Sequence, residues 1–226
     1  IITFSTRSKF YKNEKYKSIR NTSIEEISKS FEFLINEKFK IFKIGKDKET
    51  NFQNKNIIDL SLNENDRELI DLFLIYRSNF FISPATGVSE LGTIARKKKL
   101  ILDFIDFGGL YYYNLEYITL ILPKKFINLK TNELFTYREI LEKKIYLYKT
   151  QEDLREVNIG AVNNNYVEIS RAVQNMFFLV NNLKNFESEK NKQKEFWSIY
   201  HKCNNFNDEK LFICPSFFHS NEKLFL

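Results

Sequence analysis

The order of strand-like and helix-like segments constrains this chain more than any other feature of its sequence. Short apolar or β-branched runs alternate with longer segments in which apolar residues recur every three or four positions. This alternation predicts a parallel sheet, because parallel neighbouring strands need a crossover connection that is usually a helix. We therefore expect an α/β fold with a Rossmann-like parallel sheet flanked by helices. The predicted strands are Ile1–Ser5, Phe39–Ile44, Asn56–Leu60, Asn79–Ile82, Leu100–Ile105 and Tyr117–Leu122.

The predicted helices begin at residues that cap helices well. Thr22 or Ser23 is a suitable N-cap for a helix with apolar residues from Ile24 to Ile35. Further helices are predicted over residues 66–77, 87–97, 137–144, 165–182 and 186–200, and the apolar tail 211–226 shows no regular period. We expect residues 1–150 to form the Rossmann-like lobe, and residues 151–226 to form C-terminal helices and a tail that pack on it.

Composition places the chain among globular proteins. It has 226 residues, of which 43% are hydrophobic and 28% are charged, with only 2 cysteines. These values exclude disordered, collagen-like and disulfide-rich proteins, and no apolar run approaches the ~20 residues of a membrane-spanning helix. We predict a cytoplasmic protein, with peripheral contact to an anionic inner membrane as an open alternative. The net charge of +6 permits phosphate or nucleic-acid binding, although codon bias also produces lysine excess.

The segment from Ser83 to Glu90 is the most informative part of the sequence. It follows a predicted strand and starts a predicted helix, where free N–H groups and the helix dipole favour an anion. Gly87 lets the backbone approach a phosphate closely, and Ser83, Thr86 and Ser89 offer hydroxyl groups. The N–H groups of residues 87–89, which include Val88, would point at the ligand. An ordinary helix cap is the alternative.

Two basic residues are predicted at the same edge of the sheet. Arg7 follows the first strand and Lys43 ends the second, and the carboxyl ends of parallel strands meet at one edge. A diphosphate needs cations and amides directed at one point, so Arg7, Lys43 and the Gly87 turn together predict a diphosphate site. Asp59 and Glu90 are candidates for binding a ribose or sugar hydroxyl, or for a structural role.

Other residue groups favour plainer interpretations. Asp103 and Asp106 lack a third ligand, so we expect no metal there. His201, Cys203, Cys214 and His219 have zinc-binding side chains, but their spacing is not that of a standard zinc finger. The basic runs 97–99 and 124–125 are interpreted as solvated charge, and residues 111–113 as an aromatic loop that either stacks on a ligand or covers the core.

The order of several short motifs resembles the donor-binding lobe of GT-B glycosyltransferases. The likeness is to bacterial glycosyltransferases encoded with surface-polysaccharide genes and, more distantly, to the α-1,6-fucosyltransferase type. It extends over most of the chain. The motifs are Ser5-Thr6-Arg7, Arg20-Asn21, Phe39–Gly45, Ile57-Ile58-Asp59, Asn79–Ser83 with Thr86-Gly87, Glu133–Ile140 and Asn164–Ile169.

The resemblance implies a nucleotide-sugar donor as substrate, without a cofactor or a metal. The resemblance implies that the strand-end Arg7, together with Ser83, Thr86 and Gly87, binds the diphosphate. It also implies the C-terminal lobe of a two-lobed fold, whose N-terminal acceptor lobe is missing from this chain, and a glycan or lipid-linked acceptor. The group tends to have His where this chain has Ser5 and Arg where it has Lys43. The catalytic base is not assigned.

The predicted function is therefore sugar transfer from a nucleotide diphosphate sugar in surface-polysaccharide synthesis, with no nucleic acid as partner. Two alternatives stay open: a non-catalytic Rossmann-like interaction subunit, and a basic protein that binds nucleic acid. The predicted donor-binding residues are Arg7, Lys43, Ser83, Thr86, Gly87, Val88 and Ser89.

Overall fold

A seven-stranded, fully parallel sheet forms the centre of the molecule. The computed structural model describes residues 1–8, 18–47, 52, 54–61, 67–107, 118–181, 188, 189, 191–204 and 211–225, with the backbone alone for 201–204 and 211. The strand order is β3-β2-β1-β4-β5-β6-β9, and a separate antiparallel hairpin joins β7 to β8. The strands are β1 (Ile2–Ser5), β2 (Ile41–Ile44), β3 (Ile57–Asp59), β4 (Phe81–Pro84), β5 (Lys99–Phe104), β6 (Thr119–Pro123), β7 (Lys125–Asn128), β8 (Ile159–Val162) and β9 (Leu211–Ile213).

The α/β fold predicted from the alternating pattern is confirmed, with strand bounds that differ by one or two residues. The largest shift concerns the fourth strand, which was predicted over Asn79–Ile82 and is observed over Phe81–Pro84. The strand continues because Ser83 pairs with Ile101 of β5 and Pro84 with Leu102.

Helices cover both faces of the sheet. On one face, α3 and α4 pack on a small cluster that includes Ile44, Leu74 and Phe81. On the other face, α1, α2 and the sixteen-residue α7 pack on the main core. The helices are α1 (Ile24–Lys29), α2 (Glu32–Asn36), α3 (Arg67–Arg77), α4 (Gly87–Ile94), α5 (Tyr137–Glu142), α6 (Gln151–Glu156), α7 (Tyr166–Asn181), α8 (Lys194–Asn204), α9 (Pro215–Ser220) and α10 (Glu222–Phe225), with a 3-10 helix at Ile145–Leu147.

Side-chain caps explain where the predicted helices begin. Ser23 accepts a hydrogen bond from the N–H of Glu26 at 3.3 Å and starts α1. Asn165 accepts from the N–H groups of Val167 and Glu168, both at 3.0 Å, and starts α7. Among the described residues, no helix is both long enough and apolar enough to cross a membrane.

Two parts of the fold differ from the sequence-based expectation. The tail from residue 211 has regular structure, because β9 pairs in parallel with β6 and extends the sheet. The β7–β8 hairpin and α6 were not predicted from the sequence. Parts of the helix predicted over residues 186–200, and the aromatic residues 111–113, lie outside the described residues.

Gly92 of α4 lies where the helix packs closely on the sheet, and its substitution tests this packing. A Cβ atom added there would lie 2.7 Å from Cδ1 of the buried Phe81 ring and 3.1 Å from Cδ of Lys99. We predict that Gly92→Ala lowers the free energy of unfolding by about 1–3 kcal/mol, because overpacking exceeds the helix-propensity gain of alanine. Gly87→Ala of the same helix is the matched control, since nothing lies within 4 Å of its added Cβ. Denaturant unfolding measures the stability of both variants. If Gly92→Ala, like Gly87→Ala, is at least as stable as wild type, this packing is contradicted.

Candidate functional site

The strand order reverses direction between β1 and β4, and in open α/β sheets this arrangement predicts a ligand crevice at the carboxyl edge. From β1 the chain continues to β2 and β3 on one side, whereas β4, β5 and β6 lie on the other side. Connections that leave two adjacent strands in opposite directions open a crevice, and ligands of open α/β sheets bind there. Arg7 lies two residues beyond β1, and Thr86 lies two residues beyond β4. The predicted basic residue and the predicted turn therefore lie at the same edge.

The N-terminus of α4 is open to solvent at this edge. Gly87 is exposed, and Thr86, the N-cap residue, and Val88 are partly buried. Ser89 is fully buried, and its hydroxyl donates to the carbonyl of Thr86 at 2.6 Å and accepts from the N–H of Thr86 at 3.3 Å. Ser89 therefore closes the first turn of α4, in contrast to the ligand-facing hydroxyl expected from the sequence.

Buried hydroxyl groups lie beneath the crevice. Phe4 pairs with Ile82, and continuing this register by one residue brings Ser5 beside Ser83. Both serines are buried, and their hydroxyls have no hydrogen-bond partner among the described residues, whereas Thr86 forms a capping box with Ser89 at the start of α4. Buried polar groups normally have partners, so hydroxyls without one at a crevice are candidates for ligand contacts.

The end of β2 approaches the crevice closely. Gly45 has a φ of 87°, in the region that favours glycine. A Cβ atom built on Gly45 would lie 3.6 Å from Cγ2 of Val88 and 3.8 Å from Cβ of Ser5. The ends of β1 and β2 and the first turn of α4 therefore come together, as the sequence-based hypothesis requires.

Lys43 differs from the expectation that it binds phosphate. Its side chain is fully buried, and the ammonium donates to the carbonyl of Asp47 at 2.6 Å, to Ser61 Oγ at 3.0 Å and to Asp59 Oδ2 at 3.2 Å. Through these contacts the buried lysine connects the loop after β2 to the end of β3. Asp59, a candidate for ribose binding, is its salt-bridge partner.

A polar network that sequence analysis missed holds the loop after β2. Asp71 accepts from the N–H of Gly45 at 3.1 Å, and Arg67 donates to the carbonyl of Gly45 at 2.9 Å and to that of Ser61. Arg67 and Asp71 lie one turn apart on α3, and burial raises the pKa of the Asp71 carboxyl. The buried carboxylate of Asp47 accepts from Thr6 at 2.9 Å and from Ser8 at 2.7 Å, which links this loop to the end of β1.

A second buried network lies at the ends of β5 and β6. Asp103 has a φ of 47° and accepts through Oδ1 from the N–H of Asn164 at 2.9 Å and from its side-chain amide at 2.8 Å. The amide also donates to the carbonyl of Pro123 at 3.0 Å. Burial raises the pKa of Asp103, against the opposing effects of Lys124 and of the Asn164 hydrogen bonds. These contacts fasten the start of α7 to the sheet edge.

Remaining candidates of the sequence analysis have structural contacts. Glu90 Oε1 lies 3.3 Å from Ser89 Oγ. Cys214 is buried, which raises the pKa of its thiol, and His219 Nε2 lies 2.8 Å from Glu189 Oε2. The side chains of residues 201 and 203 lie outside the described part of the chain. Within the described part, no cluster of three or more His, Cys, Asp or Glu residues could hold a metal ion.

Comparison of the chain with models of known protein families, with curated proteins and with solved structures found no match.

The role of Lys43 can be tested through stability. We predict that Lys43→Met lowers the free energy of unfolding by roughly 3–5 kcal/mol, because it leaves the partly buried Asp59 without its cation. Lys46→Met is the matched control: its ion pair with Glu68, at 3.0 Å, is exposed to solvent and contributes little. A Lys43→Met variant that unfolds like the control in a denaturant titration would refute the structural role.

The raised pKa of Asp103 predicts a pH dependence. The carboxyl lies near Lys124 and near Glu168, which pairs with Lys125 at 2.6 Å. A raised pKa in the folded state favours folding at low pH, and this contribution is lost as pH rises above the unfolded value of about 3.9. Asp103→Asn has no ionisable carboxyl at this position, so it does not lose stability in this way as the pH rises. Asparagine also tolerates the positive φ of residue 103.

We therefore expect the stability of Asp103→Asn relative to wild type to increase as the pH rises from about 4. Urea unfolding across the pH range measures this difference. A constant difference at all pH values would show that Asp103 ionises normally.

Proposed function

We propose that the chain is a glycosyltransferase of the GT-B type, or the donor-binding lobe of one. It would transfer a sugar from a nucleotide diphosphate sugar to a glycan or lipid-linked acceptor. The proposal is supported chiefly by the crevice between β1 and β4, where a strand-end arginine and an open helix N-terminus lie at one edge. The motif order resembling GT-B donor lobes supplies the reaction class.

The first turn of α4 has the chemistry of a phosphate site. The first N–H groups of a helix carry a partial positive charge, which attracts anions. In α4 the N–H of Ser89 donates to the carbonyl of Thr86 at 2.9 Å, so the amides proposed for the phosphate are those of Gly87 and Val88. Gly87 is exposed at this point, and no atom of the described residues lies within 4 Å of where a side chain would begin. A phosphate group can therefore reach the backbone without a steric obstacle.

Arg7 would supply a cation at the sheet edge where α4 begins. Its carbonyl accepts from the N–H of Thr22 at 2.8 Å, which fixes the backbone as it leaves β1. The arginine side chain is partly buried. A guanidinium group presents several N–H donors in a plane and binds two phosphate oxygens at once, so a fixed Arg7 is suited to a diphosphate.

These groups would act on the charge that develops during sugar transfer. The bond between the anomeric carbon and the diphosphate oxygen breaks, the acceptor oxygen forms the new bond, and negative charge accumulates on the departing diphosphate. Arg7 and the amides of α4 would stabilise that charge in a fixed geometry, which is an effective form of catalysis. The base that takes the acceptor proton is not assigned to a described residue.

Isothermal titration calorimetry with UDP, GDP, ADP and CMP tests the proposal. We expect one nucleotide to bind clearly more tightly than the others, and Arg7→Ala to weaken its binding at least a hundredfold. Arg77→Ala is the matched control, because Arg77 is exposed at the end of α3, which leads to the opposite edge of the sheet. Its affinity should equal that of wild type.

The competing functions predict different results. A non-catalytic interaction subunit would bind none of the four nucleotides. A nucleic-acid-binding protein would bind polynucleotides with an affinity that falls steeply with salt, and would ignore free nucleoside diphosphates. Either result would contradict the proposed function.

A further inference from the structure

Arg20 and Asp106 form a loose ion pair at the edge that carries the proposed donor site. Arg20 Nη2 lies 3.7 Å from Asp106 Oδ2, and the two side chains are 40% and 34% exposed. This distance is longer than a hydrogen bond, and such exposed pairs contribute little to stability. The contact leaves most donors of the guanidinium available to another partner.

A buried lysine fixes the backbone on both sides of Arg20. The ammonium of Lys124 is fully buried, in contrast to the solvated charge expected from the sequence, and it donates to the carbonyl of Ile19 at 2.6 Å and to that of Asn21 at 3.0 Å. The N–H of Arg20 donates to Ser18 Oγ at 3.2 Å. The end of β6 thus positions the segment that presents Arg20 at the edge.

Three neighbouring strands bring the relevant groups into one row. Arg7 lies two residues beyond β1, Thr86 two residues beyond β4, and Asp106, with Arg20 beside it, two residues beyond β5. Because β1, β4 and β5 are adjacent, two strand spacings of about 5 Å separate the outer positions by roughly 10 Å. The turn that begins α4 follows the middle strand of the three.

We infer that Arg20 is a second phosphate-binding residue of the proposed donor site, and that the diphosphate replaces Asp106 as the partner of its guanidinium. This inference rests on the proposed function. Phosphate offers the guanidinium two oxygens in bidentate geometry, whereas Asp106 makes a single long contact. Asp106 is thus a competitor that keeps Arg20 at the edge while the site is empty.

The exchange predicts opposite effects for the two residues. Arg20→Ala should weaken binding of the preferred nucleoside diphosphate at least tenfold and leave the affinity for the corresponding nucleoside unchanged, because the nucleoside has no phosphate. Asp106→Asn should strengthen binding of the diphosphate about threefold or more, since it removes a competing and repelling carboxylate. Arg20→Lys should lie between wild type and Arg20→Ala, because lysine retains the charge without the bidentate geometry.

Calorimetry on the full chain, with Arg77→Ala as the control, measures all of these affinities, and thermal unfolding checks that each variant is folded. If wild type binds no nucleoside diphosphate, the proposed function and this inference both fail. If wild type binds one and Arg20→Ala binds it equally well, only this inference fails. Weaker diphosphate binding by a folded Asp106→Asn variant would also overturn it, and that test remains if Arg20→Ala does not fold.

Discussion

The placement of β1 between β2 and β4 in a parallel sheet is the constraint on which the rest of the structure depends. After β1 the chain continues to β2 and β3 on one side, whereas β4 and the strands after it lie on the other side. The loops that follow β1, β2 and β4 therefore meet at one edge of the sheet. Arg7, Gly45 and the Thr86-Gly87 turn are far apart in sequence, yet each follows a strand of the same edge. Their proximity is therefore a consequence of strand order.

Buried cations shape this edge from within. Lys43 joins the loops after β2 and β3, and Lys124 holds the segment that presents Arg20. Burying an ammonium group is costly unless its donors are satisfied. Lys43 donates to a backbone carbonyl, a hydroxyl and the Asp59 carboxylate, and Lys124 donates to two backbone carbonyls. Such contacts define loop conformation at short range, so Arg20 starts from a fixed backbone position.

Sequence patterns predicted the framework better than the site. The alternation of strand and helix signals depends on local periodicity, and it led to the parallel sheet and to most of its strands. The strand β9 was missed because its few residues become a strand only by pairing with β6, which is distant in sequence. Lys43 was expected at the edge because of its position, but the direction of its side chain depends on Asp59 and Ser61. The Arg67–Asp71 network could not be inferred for the same reason, since its partner is a backbone group of another element.

The most direct test of the account is whether a diphosphate contacts the first turn of α4. The chain has only 6 glycines, so selective 15N-glycine labelling gives a simple amide spectrum, and Gly87→Ala identifies the signal of Gly87. On titration with inorganic pyrophosphate, the account predicts a saturable shift of the Gly87 signal and an unchanged signal from Gly160, which lies in the β7–β8 hairpin. A Gly87 signal that does not move while pyrophosphate binds elsewhere would contradict it.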